Sequence, residues 1–188
     1  MTPDGAVARP TSQKAREALF SIIADRIIDS VFIDMFAGSG AVGIEALSRG
    51  ARKVVFVERN RSCIKVIRDN LAMLQAGAGE ATIINADVSR NSAMGSIVAE
   101  MARIGESAAD IIFADPPYDY ADIPRLQANI ADSDFFAEDS VFILECGKKA
   151  DTAAAAAAPA NLVNYTAKAY GETRLLFYRR KNMMHSEE

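Results

Sequence analysis

The chain has few of the residues that secreted, metal-binding or membrane-spanning proteins depend on. It has one histidine and two cysteines, and Cys63 and Cys146 form no Cys-x-x-Cys pair. A zinc site needs clustered His and Cys ligands, so no metal is expected, and the cysteine usage fits a reducing compartment. The apolar runs are short, and the N-terminus lacks a hydrophobic signal core. The sequence therefore predicts a cytoplasmic protein with no metal and no membrane contact.

The chain also lacks an excess of positive charge. Lys and Arg number 21 against 25 Asp and Glu, which gives a formal net charge of −4. Proteins that bind a phosphate backbone usually carry a basic patch, so any such patch must be local here. The candidate groups are Arg9, Lys14 and Arg16, then Arg59 and Arg61, and finally Arg174, Arg179, Arg180 and Lys181.

The pattern of apolar residues predicts one α/β domain. The 188 residues are half hydrophobic, enough for a single core. Strand and helix signals alternate after residue 31, which favours a mostly parallel sheet with helices on both faces and a C-terminal antiparallel hairpin. Predicted strands are Val31–Phe36, Lys53–Glu58, Thr82–Ala86, Asp110–Asp115, Val141–Glu145, Leu162–Tyr170 and Arg174–Arg180; predicted helices are Gln13–Ile27, Ala41–Ser48, Arg61–Leu74, Ser92–Ile104 and Ile123–Ala131.

A single domain over 1–188 is expected to have three parts. Residues 1–30 form an N-terminal helical element, residues 31–182 form the α/β core, and residues 183–188 form a tail expected to fray.

The most informative motif is Asp115-Pro116-Pro117-Tyr118, which directly follows a predicted strand. The Asp115 carboxylate and the Pro116 carbonyl can each accept one N–H of a planar amine, and Tyr118 can stack on a ring. Two successive prolines fix φ and remove two N–H donors, so the loop is stiff. The motif indicates chemistry on the exocyclic amine of a nucleobase, although a strand that ends in a proline turn would also account for it.

A glycine turn joins the first predicted strand to a helix. The segment Asp34 to Gly43 contains Gly38-x-Gly40-x-x-Gly43. Gly38 and Gly40 allow positive φ and close approach of a ligand, and Gly43 allows the helix to pack closely on the sheet. The spacing fits a nucleoside cofactor, and by itself it does not separate a nicotinamide dinucleotide from other nucleoside ligands.

Acidic residues follow several predicted strands. Glu58 stands where an acid that binds the ribose hydroxyls is expected, about 20 residues after the glycine turn. Asp87 ends the third strand and can accept from an adenine amino group. Because the carboxyl ends of parallel strands share one edge, Asp34, Glu58, Asp87 and Asp115 are predicted to line one rim.

These stretches together resemble the RsmD-type bacterial 16S rRNA (guanine-N2)-methyltransferases, within the class I S-adenosylmethionine-dependent methyltransferases. The resemblance covers nearly the whole chain. The segments that carry it are Arg9-Pro10-Thr11, Arg16 to Phe20, Asp34 to Gly50, Phe56-Val57-Glu58, Asn70-Leu71, Asp110 to Tyr118 and Tyr170 to Leu175.

The resemblance implies a Rossmann-like, mostly parallel seven-stranded sheet, S-adenosylmethionine as cofactor, and 16S rRNA or a partly assembled small subunit as substrate, with the protein a monomer. It assigns cofactor binding to Thr11, Asp34, Phe36, Ala37, Gly38, Ser39, Gly40, Glu58, Arg59 and Asp87. It assigns the target base to Asp115, Pro116, Pro117 and Tyr118, and RNA contact to Arg9, Lys14, Arg16 and Arg174. Members of the family are expected to carry a short basic, glycine-containing segment ahead of Arg9, where this chain has only eight residues.

The residues leave three alternatives open. A DNA adenine or cytosine amino-methyltransferase can use the same Asp-Pro-Pro-Tyr loop but often needs an added recognition domain. An NAD-dependent oxidoreductase accounts for the glycines and Glu58 but not for Asp115 to Tyr118. A non-catalytic RNA-binding assembly factor on the same scaffold is the third.

Overall fold

The computed structural model of the chain describes residues 13–77, 79–117, 120, 122–147 and 158–181. The helices are α1 (Gln13–Ile22), α2 (Ala24–Ile27), α3 (Ala41–Ser48), α4 (Arg61–Met73), α5 (Ser92–Arg103) and α6 (Ile123–Ala131). The strands are β1 (Val31–Met35), β2 (Lys53–Glu58), β3 (Ala81–Asn85), β4 (Ala109–Ala114), β5 (Phe136–Gly147), β6 (Leu162–Tyr170) and β7 (Thr173–Arg180).

All seven strands form one sheet in the order β3-β2-β1-β4-β5-β7-β6. The pairings among β1 to β5 are parallel, whereas β7 runs antiparallel to both β5 and β6. The predicted fold, a mostly parallel seven-stranded Rossmann-like sheet with a C-terminal antiparallel hairpin, is confirmed. The single-domain extent over 1–188 remains a prediction, since the ends of the chain lie outside the described residues.

Helices cover both faces of the sheet, because the side chains of each strand alternate between two apolar clusters. On one face, which we call the α3 face, Phe32, Phe56 and Phe113 pack with residues of α1 to α4 such as Ile67. On the other face, Ile33, Val55 and Ile112 pack with residues of α5 and α6. Consequently the connections after β1 and β2 cross the α3 face and those after β3 and β4 cross the other. The place where the two sets diverge lies between β1 and β4, where open α/β sheets bind ligands.

Two predicted elements differ from the structure by more than one residue at an end. The predicted helix Gln13–Ile27 is interrupted at the buried Ile23, which adopts φ −96° and ψ 12°. The helix thus bends while Leu19 and Ile27 both stay in the core. The predicted strand Val141–Glu145 is part of a longer strand that begins at Phe136, because Phe136 already pairs with Ala109 of β4 ahead of a register shift. Exposed polar residues lie between Phe136 and Val141, so the apolar run that predicted the strand began only at Val141.

Candidate active site

The carboxyl ends of four adjacent strands carry acidic side chains, and we call this edge of the sheet the acidic rim: Asp34 on β1, Glu58 on β2, Asp115 after β4 and Glu145 on β5. In the parallel register, Asp34 lies beside Phe56 of β2 and Phe113 of β4. Glu58 and Asp115 each follow two residues later, so they stand one step above Asp34. Strand alternation puts all of them on the α3 face.

The glycine turn between β1 and α3 has the left-handed backbone that its sequence predicts. Gly38 has φ +55° and Gly40, the residue that caps α3, has φ +78°. Phe36 also has positive φ (+60°), a conformation that costs a non-glycine residue energy and that often marks functional sites. The Asn70 side chain of α4 donates to the Ser39 carbonyl over 3.1 Å. The turn is therefore held in place from the side of α4.

Glu58 connects the end of β2 to the glycine turn. Its Oε2 accepts from the Gly38 amide over 2.8 Å, and its Oε1 accepts from the Asn60 amide over 2.7 Å. Each carboxylate oxygen has a second lone pair, so both can still accept a hydroxyl. Glu58 is buried, and it is fixed in place for the ribose role that the sequence predicts.

Asp34 lies in the floor of the rim and is 2% exposed. Burial is the main cause that raises its pKa from 3.8 to about 7; the neighbouring Asp115 and Glu58 carboxylates raise it further, while the Gly43 amide opposes the shift. That amide donates to Asp34 Oδ2 over 2.9 Å. The Asp115 and Glu58 carboxylates carry the same sign of charge as Asp34 and disfavour its charged form. A cation placed above Asp34 carries the opposite sign and would stabilise that form.

Asp87 and Arg59 lie at the β3 side of the rim. Asp87 accepts from the Ser89 hydroxyl over 2.7 Å and faces Arg59 Nη1 at 3.4 Å, and the Ser89 hydrogen bond is the main cause that lowers its pKa. Asn85, which sequence reasoning missed, donates to the carbonyls of Glu58 and Arg59 over 3.0 and 3.1 Å. This side chain joins the ends of β2 and β3, and so orients Glu58.

The Asp-Pro-Pro loop follows β4 directly. Asp115 is half-buried, Pro116 is buried and Pro117 is exposed, and the Tyr120 amide donates to the Pro117 carbonyl over 2.8 Å. The Tyr120 and Phe36 rings form a T-shaped pair, with centroids 5.3 Å apart and planes at 75°. Tyr120, a residue that sequence reasoning missed, thus joins the Asp-Pro-Pro loop to the strained end of β1.

The predicted RNA-contact residues are dispersed. Lys14 is exposed on α1, and the Arg16 guanidinium is 2.7 Å from Glu45 of α3. Arg174 donates to the Gly171 carbonyl over 3.1 Å beside the β6–β7 turn, at the rim end of the sheet. Arg9, Thr11 and Tyr118 lie outside the described residues, so their predicted roles stay predictions.

Comparison with known proteins identifies the family. The profile of the family described as "Conserved hypothetical protein 95" matches residues 1–179. The chain belongs to this RsmD-type methyltransferase family. The resemblance stated from the sequence is thereby confirmed, and family membership favours a methyltransferase over the oxidoreductase alternative.

Two relatives of this RsmD-type chain illustrate the similarity. The chain is 30% identical over 177 residues to "Putative rRNA methyltransferase YlbH" of Bacillus subtilis, covering 94% of this chain and 90% of that protein. It is 34% identical over 143 residues to "Ribosomal RNA small subunit methyltransferase D" of Escherichia coli K12, covering 76% of this chain and 66% of that protein.

Solved structures agree with the family. "Putative methyltransferase yhhF" from Escherichia coli superposes with a TM-score of 0.76 at 31% identity, covering 96% of this chain and 91% of that one. "Putative methylase HI0767" from Haemophilus influenzae, at 24% identity and a TM-score of 0.70 over 91% of this chain and 99% of that one, shares the fold.

In the described part of this RsmD-type chain, no helix has the length and apolarity to cross a membrane. Over the same residues, His, Cys, Asp and Glu side chains form no group of three suited to a metal ion.

Glu145 is a further residue that sequence reasoning missed in this RsmD-type chain. It is buried near the end of β5. A signal was available, because the predicted strand Val141–Glu145 also ends in an acid.

Proposed function

We propose that this chain methylates the exocyclic N2 of a guanine in 16S rRNA, with S-adenosylmethionine as the methyl donor. The observation that carries the proposal is the position of Asp115. The residue belongs to the substrate loop after β4 and follows Phe113 by two residues, and Phe113 pairs with Asp34 of the cofactor half of the rim in the parallel register. Cofactor and target amine can therefore meet between β1 and β4.

The residues of the cofactor half suit S-adenosylmethionine, which supplies a methyl group on a positively charged sulfur. Glu58 would accept from the ribose hydroxyls, and Asp87 would accept from the adenine amino group with Arg59 beside it. Asp34 lies under the glycine turn, where Gly38 and Gly40 have positive φ, and would face the cationic part of the ligand. Phe36, Ala37, Gly38, Ser39 and Gly40 supply the backbone that surrounds it, and Thr11 is assigned by resemblance.

The substrate half orients the amine. The Asp115 carboxylate and the Pro116 carbonyl would each accept one amine N–H, which aims the nitrogen lone pair at the methyl carbon. The nitrogen–carbon bond forms as the carbon–sulfur bond breaks, the sulfur keeps the electron pair, and the amine then loses a proton. Asp115 would stabilise the positive charge that develops on nitrogen. Alignment of the amine with the methyl carbon can itself lower the activation barrier by several kcal/mol, an order-of-magnitude figure for well-oriented reactants.

The RNA would reach the site with its target base unstacked, because an amine inside a helix is not accessible. Pro117 shapes the loop and Tyr118 would stack on the base. Arg174 at the rim, with Lys14, Arg16 and Arg9, would contact phosphates. A partly assembled small subunit would add contacts from its own proteins, which fits the acidic net charge of −4. We place the reaction in the cytoplasm, where subunits assemble, and expect a monomer.

The test is transfer of radiolabel from S-adenosylmethionine to small ribosomal subunits that lack base methylation, followed by nuclease digestion and nucleoside analysis. Label is expected in N2-methylguanosine. Asp115→Asn should lower kcat at least about 100-fold, the usual cost of removing one group that stabilises developing charge. Cofactor affinity, measured by calorimetry, should fall by much less than kcat.

The matched control is Asp134→Asn, an exposed carboxylate remote from the rim, which should keep full turnover. Unchanged turnover in Asp115→Asn would remove the carboxylate from the mechanism. Label in DNA adenine or cytosine would favour the amino-methyltransferase alternative. Cofactor binding with no transfer to any rRNA would favour an assembly factor.

A further inference from the structure

We propose that Glu145 selects guanine by accepting the ring N1–H that lies next to the reacting amine. This inference rests on the proposed function and deepens it, because it names the residue that separates guanine from the other amine-bearing bases.

The placement of Glu145 follows from the register of β4 and β5. Ala114 pairs with Leu144 in the parallel ladder, so continuing the register by one residue aligns Asp115 with Glu145. Neighbouring strands are about 4.8 Å apart. Two carboxylates thus stand side by side at the end of the sheet where the target base is expected.

Both side chains belong to the α3 face. Val141 and Ile143 of β5 pack in the same cluster as Phe113 of β4, and alternation along each strand assigns Glu145 and Asp115 to that face. Glu145 is 6% exposed and pairs across the antiparallel ladder with Leu175, which is fully buried. Such surroundings strengthen any hydrogen bond that the Glu145 carboxylate accepts.

The chemistry of the bases decides what two adjacent acceptors can bind. Guanine has a ring N1–H next to its amine, and therefore presents three N–H bonds along one edge. Adenine and cytosine have an acceptor nitrogen at the corresponding ring position. An ionised carboxylate only accepts hydrogen bonds. With Asp115 and the Pro116 carbonyl assigned to the amine, Glu145 supplies the third acceptor, which only guanine satisfies.

The discriminating substrate is 2-aminopurine, which keeps the 2-amine but has an acceptor at N1. Once the methylated nucleotide is located, subunits are reconstituted with guanine or 2-aminopurine at that position. The wild type should prefer guanine at least about 100-fold in kcat/KM, since sites built to bind an N–H reject analogues that lack it. Glu145→Gln should narrow this ratio at least about tenfold, because the glutamine amide can donate to the N1 of 2-aminopurine.

The matched control is Glu138→Gln, an exposed residue near the other end of β5, which should keep the wild-type ratio. A role for Glu145 in folding alone would lower both activities together and leave the ratio unchanged, and that result would overturn the proposal. Failure of the wild type to methylate guanine would instead overturn the proposed function beneath it.

A second measurement needs no variant. Inosine at the target position keeps the N1–H and lacks the amine. In filter-binding competition with the wild type, RNA carrying inosine should bind more tightly than RNA carrying unsubstituted purine, which lacks the N1–H as well as the amine. Equal or reversed affinities would contradict the role of Glu145, even if Glu145→Gln fails to fold.

Discussion

Acidic groups with little solvent exposure have opposite surroundings at the two ends of the parallel sheet. At the amino end, Glu106 accepts from Arg52 and forms an ion pair with Lys53 Nζ at 2.9 Å. The Arg52 hydrogen bond is the main cause that lowers the Glu106 pKa. At the carboxyl end, burial and two like charges raise the pKa of Asp34 to about 7.

This difference separates a structural arrangement from a ligand site. The acid at the amino end is matched by cations of the protein itself, so its charge stabilises the fold. Burial and the two like charges disfavour the charged form of Asp34, and a cation beside it would favour that form. A ligand with a positively charged sulfur would supply that cation, so the acidic rim would favour the methyl donor over the by-product, whose sulfur is uncharged.

The largest effect is expected from Asp34→Asn, which removes the charge that a cationic ligand would neutralise. Affinity for S-adenosylmethionine should fall roughly 30- to 100-fold, the range for a charged hydrogen bond. The wild type should bind more weakly as pH drops below 7, by up to about tenfold per unit, because binding then releases a proton. Calorimetry between about pH 5.5 and 8.5 measures both, with Asp134→Asn as control.

The free energy of unfolding of the ligand-free protein should change with pH in the opposite direction to cofactor affinity. The folded pKa of Asp34 is raised from 3.8 to about 7, so the folded state holds the proton more tightly and loses stability as pH rises between these values. The loss is on the order of 4 kcal/mol at pH 8, and ligand-free Asp34→Asn should unfold at higher urea concentration than the wild type there. Equal free energies of unfolding for Asp34→Asn and the wild type at pH 8 would show that the folded protein does not disfavour the charged form of Asp34.

The next effect tests how closely α3 approaches the sheet behind the rim. A Cβ on Gly43 would overlap the Phe56 ring and stand 2.9 Å from Val54 Cγ1. Because both neighbours are buried, Gly43→Ala should cost about 3 kcal/mol of unfolding free energy. The shift of α3 should also weaken the Gly43 bond to Asp34, and with it cofactor affinity.

Urea denaturation measures the cost of Gly43→Ala, and Gly95→Ala is the matched control. Gly95 lies in α5, where a Cβ would meet nothing within 4 Å. This control should gain about 0.5–1 kcal/mol from helix propensity. A loss in both variants of similar size would show that close packing behind the rim is not the cause.

The smallest effect is expected at the amino end. Glu106→Gln should lose about 1 kcal/mol at pH 7, since the Glu106 side chain is only 13% exposed but Arg52 is 42% exposed and screened by solvent. The lowered pKa means that this contribution is present above the unfolded value of 4.5 and is lost as pH falls through the folded value. Thermal melts at about pH 7 and pH 3 should therefore differ between variant and wild type only at the higher pH.

Most of the rim follows from local sequence. Each strand is a short apolar run, so its end is visible, and parallel strands bring their carboxyl ends together. The glycine turn shows its positive φ at Gly38 and Gly40, and the packing of Gly43 on Phe56 is as predicted. These features depend on neighbours in the chain or on one general rule of topology.

Other features depend on contacts between distant residues and could not be predicted. Asn85 acts on carbonyls 27 and 26 residues away, and nothing around it in the sequence marks that role. The start of β5 depends on pairing with Ala109, and the bend at Ile23 depends on how the helix fits the core. The role proposed for Glu145 follows from the strand order, which places β5 beside β4.

The position of β7 sets the time at which the sheet can be completed during translation. β7 lies between β5 and β6 although it follows both in the chain. Until residue 180 has left the ribosome, β5 keeps an open edge and β6 has no strand to join. Open edges invite pairing with other chains, so the nascent protein depends on rapid addition of its last described strand.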